Sequence, residues 1–177
     1  MPELPEVETT RLGLLPRLQG HTLARIAIRN PRLRWPVPDD LETRLAGLML
    51  RDVCRRGKYL LFDFGAATQI VHLGMSGSLR FAEPGEPAAL HDHVDWLFDD
   101  GTTLRLRDPR RFGAVLWTND VVRHPLLAHL GPEPLTPAFD AAYLHAQCQR
   151  RNTAIKQVIM DAGVVVGVGN IYASESL

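Results

Sequence analysis

The chain opens Met1-Pro2-Glu3-Leu4-Pro5-Glu6, and Pro2 is the first residue whose type and place could do chemistry. Methionine before a small residue is normally removed, which leaves Pro2 with a free secondary amine. A chain-terminal amine has a pKa of about 7.7–8.0, far below that of lysine, so a useful fraction is an unprotonated nucleophile at neutral pH. Condensed with an aldehyde-level carbon, a secondary amine gives an iminium whose positive charge is permanent, and such an electron sink makes elimination easy. Glu3 is adjacent and Glu6 falls in the first helical turn, so one carboxylate can pass a proton while the other orients. The same residues also read as an ordinary helix start with first-turn acids satisfying the dipole. A retained Met1 would turn the Pro2 nitrogen into an amide and end its nucleophilicity.

Other residues invite chemistry less directly. His91-Asp92-His93 sets two imidazoles on one strand face beside an acid, and His72 adds a third ring. A second cluster at defined spacing is missing, so no metal site is expected. Cys54 and Cys148 lie far apart in sequence and suggest neither a disulfide framework nor a self-sufficient zinc site. Arg51, Arg55, Arg56 and Lys58 form one basic cluster, and Arg105, Arg107, Arg110 and Arg111 form another. These either track a phosphate backbone or are solvated strand faces. With 20 basic and 20 acidic residues the net charge is zero, so there is no overall basic excess of the kind nucleic-acid-binding domains usually carry. No apolar run approaches the roughly 18 residues of a membrane span, and the acidic start is unlike a signal peptide. A cytoplasmic protein is expected.

Positioning these residues requires a scaffold. Residues 5 to 18 predict an amphipathic helix with Pro5 in its first turn, Val7, Leu14 and Leu18 on one side, and a bend at Pro16. Beyond Gly20, Ala24, Ile26 and Ile28 alternate with Arg25, Ala27 and Arg29 as in a half-buried strand. Further strands are expected at 48–55, 58–64, 68–73, 77–82, 93–99, 102–107 and 112–118, with Asp100-Gly101 as a hairpin signal. The pattern is mostly β with α: an antiparallel sandwich of about eight strands flanked by helices. Helices are then expected at 122–130, 138–149 and 153–161, with an apolar turn over 163–169 and another helix from Asn170. Leu177 has no helix-stop signal, so the natural chain is expected to continue. The domains divide as 1–131, a linker and helix over 132–150, and 151–177.

Several blocks, taken in order, resemble the formamidopyrimidine-DNA glycosylases. They are Pro2-Glu3-Leu4-Pro5-Glu6-Val7-Glu8-Thr9, Arg32 to Pro36, Gly57-Lys58-Tyr59-Leu60, His72 to Gly77, His91-Asp92-His93, Asp108 to Gly113, Leu130 to Pro134, and Gly167 to Glu175. The resemblance implies base-excision repair by a bifunctional glycosylase and abasic-site lyase acting on oxidised purines, 8-oxoguanine and formamidopyrimidines, in damaged double-stranded DNA. It makes Pro2 the nucleophile, Glu3 the general acid at the sugar ring oxygen, Glu6 a supporting carboxylate and Lys58 a cation near the lesion. Extruding a base leaves a gap that must be filled, and Met75, Arg110 and Phe112 match the filling trio. Taken alone, Met75 and Phe112 read as core residues. His91, Arg110, Lys156 and Asn170 would contact DNA, and backbone amides of the Gly167–Asn170 turn would hold a phosphate. Residues 151–177 would begin a helix-two-turn-helix unit, and a four-cysteine zinc finger would follow in the whole protein, which is expected to be monomeric. The family uses no metal in catalysis. Rival readings are an endonuclease VIII-like enzyme for oxidised pyrimidines, a non-catalytic DNA-binding fragment, and a metal-dependent hydrolase centred on residues 91–95.

Overall fold

The computed structural model describes residues 1–177. Helix α1 (Leu4–Leu18) buries Val7, Leu14 and Leu18 on one face, and Pro16 sits in its last turn, where the helix has only two residues left to run. Eight strands follow, β1 (Leu23–Ile28), β2 (Asp52–Arg56), β3 (Tyr59–Asp63), β4 (Thr68–His72), β5 (Ser78–Ala82), β6 (Asp92–Phe98), β7 (Thr103–Arg107) and β8 (Ala114–Thr118), with the short helix α2 (Leu41–Leu45) between β1 and β2. They form two four-stranded sheets, ordered β1-β6-β7-β5 and β2-β3-β4-β8. Every pairing is antiparallel. Leu23, Ile26, Val94, Trp96, Leu104 and Leu106 from the first sheet meet Val53, Leu60, Phe62, Val71 and Val115 from the second, and α1 closes the same core.

The Asp100-Gly101 signal produces the β6–β7 hairpin. Gly101 has φ 85° and donates its N–H to the Phe98 carbonyl at 3.1 Å. The Asp100 side chain accepts from the Thr102 N–H at 2.9 Å, which fixes the turn from its side-chain side.

Two expectations give way. Simple alternation in β1 fails: Leu23 and Ile26 face the core while Ala24 and Arg25 are exposed. A register shift between Leu23 and Arg25 inserts one extra residue, as a β-bulge does, and the buried spacing lengthens from two to three. Residues 122–130 form successive turns and no helix. Pro125 has no N–H to give a helix and drives His124 out of helical geometry, and the His124 Nδ1 instead accepts the Leu126 N–H at 3.3 Å.

Strand β6 is buried on both faces because an ionic layer covers the face away from the core. Arg105 and Asp95 are opposite one another in the β6–β7 register. The Arg105 guanidinium reaches the Asp95 carboxylate at 2.8 and 2.9 Å, and Arg29 joins the same carboxylate. Arg80 donates to Glu86 at 2.9 Å, and this pairing, helped by the Glu83 N–H, holds the Glu86 carboxyl down to about 2. Arg105 is therefore structural and takes no part in a phosphate-tracking stretch.

The helical end comprises α3 (Ala141–Gln149), α4 (Ile155–Met160) and α5 (Asn170–Ser176). Asp140 caps α3 by accepting the Tyr143 N–H at 2.7 Å. Ile159, Val165 and Ala173 form a small core of their own. No helix is long and apolar enough to cross a membrane. Truncating Leu104, 1% exposed, to alanine is expected to cost about 2–5 kcal/mol in urea unfolding. Leu90→Ala, at a residue 87% exposed, should cost less than about 0.5 kcal/mol.

Candidate active site

The amino terminus is tied to the far end of the sequence. Glu3 is 2% exposed, and its carboxylate accepts N–H bonds from Gly169 at 2.7 Å, Ile171 at 2.9 Å and Tyr172 at 3.3 Å. The first amides of a helix have no partner within it, and here a carboxylate from the other end of the chain supplies one. Leu4 adds an N–H bond to the Gly167 carbonyl at 3.0 Å. The approach is so close that a Cβ on Gly169 would lie 2.4 Å from the Glu3 carboxyl carbon. Glu6 folds back as its position suggested, accepting the Glu3 N–H at 2.9 Å, and the Tyr172 hydroxyl lies 3.4 Å from it. The Gly167–Asn170 turn was expected to offer its amides to a phosphate. Within that turn Glu3 takes the Gly169 amide, and beyond it the Ile171 and Tyr172 amides.

Lys58 sits in the β2–β3 turn, where Gly57 has φ 57°. Glu133 holds this turn from behind: it accepts the Gly57 N–H at 2.8 Å, Arg55 at 2.7 Å and Arg56 at 3.1 Å. Burial works against the Glu133 charge, but the Gly57 N–H and the two guanidiniums prevail and its pKa is lowered. Arg56 also donates to the Leu130 and Gly131 carbonyls. Of the first basic cluster, then, Arg55 and Arg56 are consumed internally and only Lys58 faces the candidate site. Burial lowers the Lys58 pKa, opposed by the Glu3 and Glu6 charges.

Beside Lys58 lies His72, which lines a cavity of about 180 Å³ with Lys58 and Tyr59. A second cavity of about 410 Å³ is lined by Met1, Arg34, His72, Gly74, Met75 and Phe112. His72 accepts the Gly74 N–H on Nδ1 at 3.0 Å, which leaves Nε2 to carry the proton of the neutral ring. Burial, joined by the Arg34 and Lys58 charges, pushes its pKa down to about 4. Met75 and Phe112 are 43% and 42% exposed, so neither is a core residue. The Arg110 guanidinium lies 4.7 Å from the Phe112 ring centre. The amino terminus, a half-buried lysine, a neutral histidine and two exposed apolar side chains thus share one concave face.

The sequence profile of the formamidopyrimidine-DNA glycosylase N-terminal domain matches residues 1–115, and that of the formamidopyrimidine-DNA glycosylase H2TH domain matches residues 130–177. This chain belongs to the formamidopyrimidine-DNA glycosylase family. It is 77% identical over all 177 residues to the formamidopyrimidine-DNA glycosylase of Thiobacillus denitrificans and 60% identical to that of Methylococcus capsulatus. It spans 66% of the length of each of these relatives. Among solved structures it is similar to the Lactococcus lactis glycosylase bound non-covalently to DNA containing an abasic site. The TM-score is 0.90 at 33% identity, covering 98% of this chain and 67% of that one.

Other candidate residues lie apart from the cavities. His91 is half-buried with its ring centre 6.4 Å from that of His93. His93 is buried and its Nε2 meets the Asp108 carbonyl at 2.8 Å, while Asp92 accepts the Ala89 N–H at 2.9 Å. The three side chains do not converge as ligands. Lys156 donates to Ser174 at 2.9 Å, and Asn170 is exposed at the start of α5. Cys54 and Cys148 are both free, on β2 and α3, and do not fit a four-cysteine zinc set. Glu133, Arg34 and Tyr172 lay inside the family blocks without a role, because only the fold sets them beside Lys58, His72 and Glu6.

Replacing Glu3 with glutamine turns one acceptor oxygen into an NH2 group facing amide donors. Glu3→Gln is expected to lose about 1–3 kcal/mol of stability in addition to any effect on chemistry. A variant as stable as wild type in urea would show that the carboxylate does not hold the turn. For His72, the unfolded ring takes up its proton near the ordinary value of 6.5 while the folded ring resists until about 4. Stability tied to His72 is therefore complete above about 6.5 and drains away as pH falls toward about 4. His72→Gln should flatten that acid limb by on the order of 2 kcal/mol, read from unfolding midpoints across this range.

Proposed function

We propose that this chain carries the chemistry of a bifunctional DNA glycosylase and abasic-site lyase in base-excision repair, acting on oxidised purines such as 8-oxoguanine and formamidopyrimidines in double-stranded DNA. The observation that carries this reading is the shared face on which the amino terminus, Lys58 and the exposed Met75 and Phe112 lie, with the buried Glu3 next to Pro2 in the chain. Once Met1 is removed, the Pro2 nitrogen attacks the anomeric carbon of the damaged nucleotide; a carbon–nitrogen bond forms and the bond to the base breaks. Glu3 takes up the proton that the attacking amine releases and passes it to the sugar ring oxygen, the ring opens, and the freed nitrogen lone pair closes to an iminium. That cation accepts the electrons released when the adjacent C–H is deprotonated, so the 3′ phosphate and then the 5′ phosphate depart by β and δ elimination. Glu6 supports the site and Lys58 supplies a positive charge for the lesion phosphate.

Met75 and Phe112 fill the gap left by the extruded nucleotide, and Arg110 bonds the edge of the orphaned base. His91, Lys156 and Asn170 contact the DNA backbone. The division we favour places the catalytic sandwich in residues 1–131, a linker and helix in 132–150 and the DNA-binding helical unit in 151–177. The protein would act as a monomer in the cytoplasm. Zinc is structural and belongs to the whole protein; this chain's residues supply no set of ligands for it, and no step is assigned to it.

Borohydride trapping on duplex DNA with an abasic site tests the reading, after mass spectrometry of the amino terminus. A covalent adduct that maps to Pro2 and disappears in Pro2→Gly is expected. No adduct from a folded, Met1-free sample would leave a DNA-binding fragment without catalysis.

A further inference from the structure

The three proposed gap-filling side chains come from two separate loops, residues 73–77 and 108–113, and a buried carboxylate lies between them. Asp108 has no solvent exposure. Its Oδ1 accepts the Ser76 hydroxyl at 2.7 Å and its Oδ2 accepts the Gly113 N–H at 2.7 Å. The Ser76 oxygen accepts the Arg110 N–H at 3.1 Å in turn, so one hydroxyl joins the Met75 loop to the backbone of Arg110. The Asp108 carbonyl accepts the Arg111 N–H at 3.2 Å and the buried His93 ring at 2.8 Å.

Close backbone contact completes the joint. A Cβ on Gly74 would lie 2.3 Å from the Phe112 carbonyl carbon, and one on Gly113 would lie 2.9 Å from Asp108 Oδ2 and 2.8 Å from the His72 carbonyl oxygen. Arg111, at φ 56°, is the one non-glycine residue in the left-handed region. A side chain there is disfavoured, and here the bonds on both sides of Arg111 hold it. None of these bonds uses the side chains of Met75, Arg110 or Phe112, which lie at the surface with the Arg110 guanidinium over the Phe112 ring.

We infer that Asp108 and Ser76 are positioning residues that brace the two loops into one wedge, so that Met75, Arg110 and Phe112 enter a duplex as a preformed unit. This rests on reading the chain as a glycosylase. The physical gain is preorganisation: two independent loops would each have to be ordered at the moment of insertion, whereas a braced pair has that order already. The carboxylate suits the task because it only accepts, and Ser76 O–H and Gly113 N–H both donate to it.

The test compares wild type with Ser76→Ala, Asp108→Asn and the double variant on two substrates. Borohydride trapping on a single-stranded abasic site requires no extrusion, whereas single-turnover excision of an oxidised purine from a duplex does. Trapping is expected within about twofold of wild type and duplex excision about tenfold slower, with the loss in the double variant smaller than the product of the two single losses because the Ser76–Asp108 bond is common to both. Ser76→Ala makes the milder change, and melting curves check that each variant is folded. Equal losses on both substrates, or no loss on the duplex, would overturn the brace. A wild-type chain trapped on neither DNA overturns the glycosylase reading itself, which is a separate result.

Discussion

The contact between the Glu3 carboxylate and the amides that open α5 is the constraint on which the rest of the site depends. A charge that is 2% exposed is tolerable only when its acceptors are satisfied, and three N–H groups from Gly169, Ile171 and Tyr172 do that. Those amides in turn are orphans of a helix end and need an acceptor. The bond answers both needs across almost the whole chain. It fixes the residue after Pro2 in space and so restrains the Pro2 nitrogen. Gly167 and Gly169 follow from the same contact, since a side chain at either would strike Leu4 or Glu3.

Around that contact the molecule spends most of its charge on itself. Arg55 and Arg56 close on Glu133, Arg105 and Arg29 on Asp95, and Arg80 on Glu86. Zero net charge is compatible with a DNA-facing surface because these pairs remove acids and bases together. What remains near the cavities is Arg34, Lys58 and Arg110 with no carboxylate bonded to them. Lys58 holds its place through its neighbour, as Glu133 grips Gly57 and leaves the ammonium free. The segment before α3 thereby helps to place a lysine that belongs to the sandwich.

The elements that were legible in advance are those whose cause is local. Pro5, Glu6 and the spacing of Val7, Leu14 and Leu18 suffice for α1, and Asp100-Gly101 suffices for a hairpin. The eight strands follow from short β-rich runs broken by turn residues. The bulge in β1 was not legible, because the residue that is skipped depends on the partner strand. The helix expected at 122–130 does not form because Pro125 lacks the N–H that a helix needs.

The sequence alone singled out Pro2 as the candidate reactive group, since a secondary amine follows from residue type and position once Met1 is removed. It also determined the family, through blocks at Pro2–Thr9, His72–Gly77 and Asp108–Gly113. Only tertiary structure decided which partner each polar group would take. It brought the Glu3 carboxylate to the amides of Gly169, Ile171 and Tyr172, buried Arg105 under a loop, and brought Ser76 to Asp108. Those outcomes are contests between acceptors far apart in the chain, and distance in space settles them where spacing in sequence carries no information.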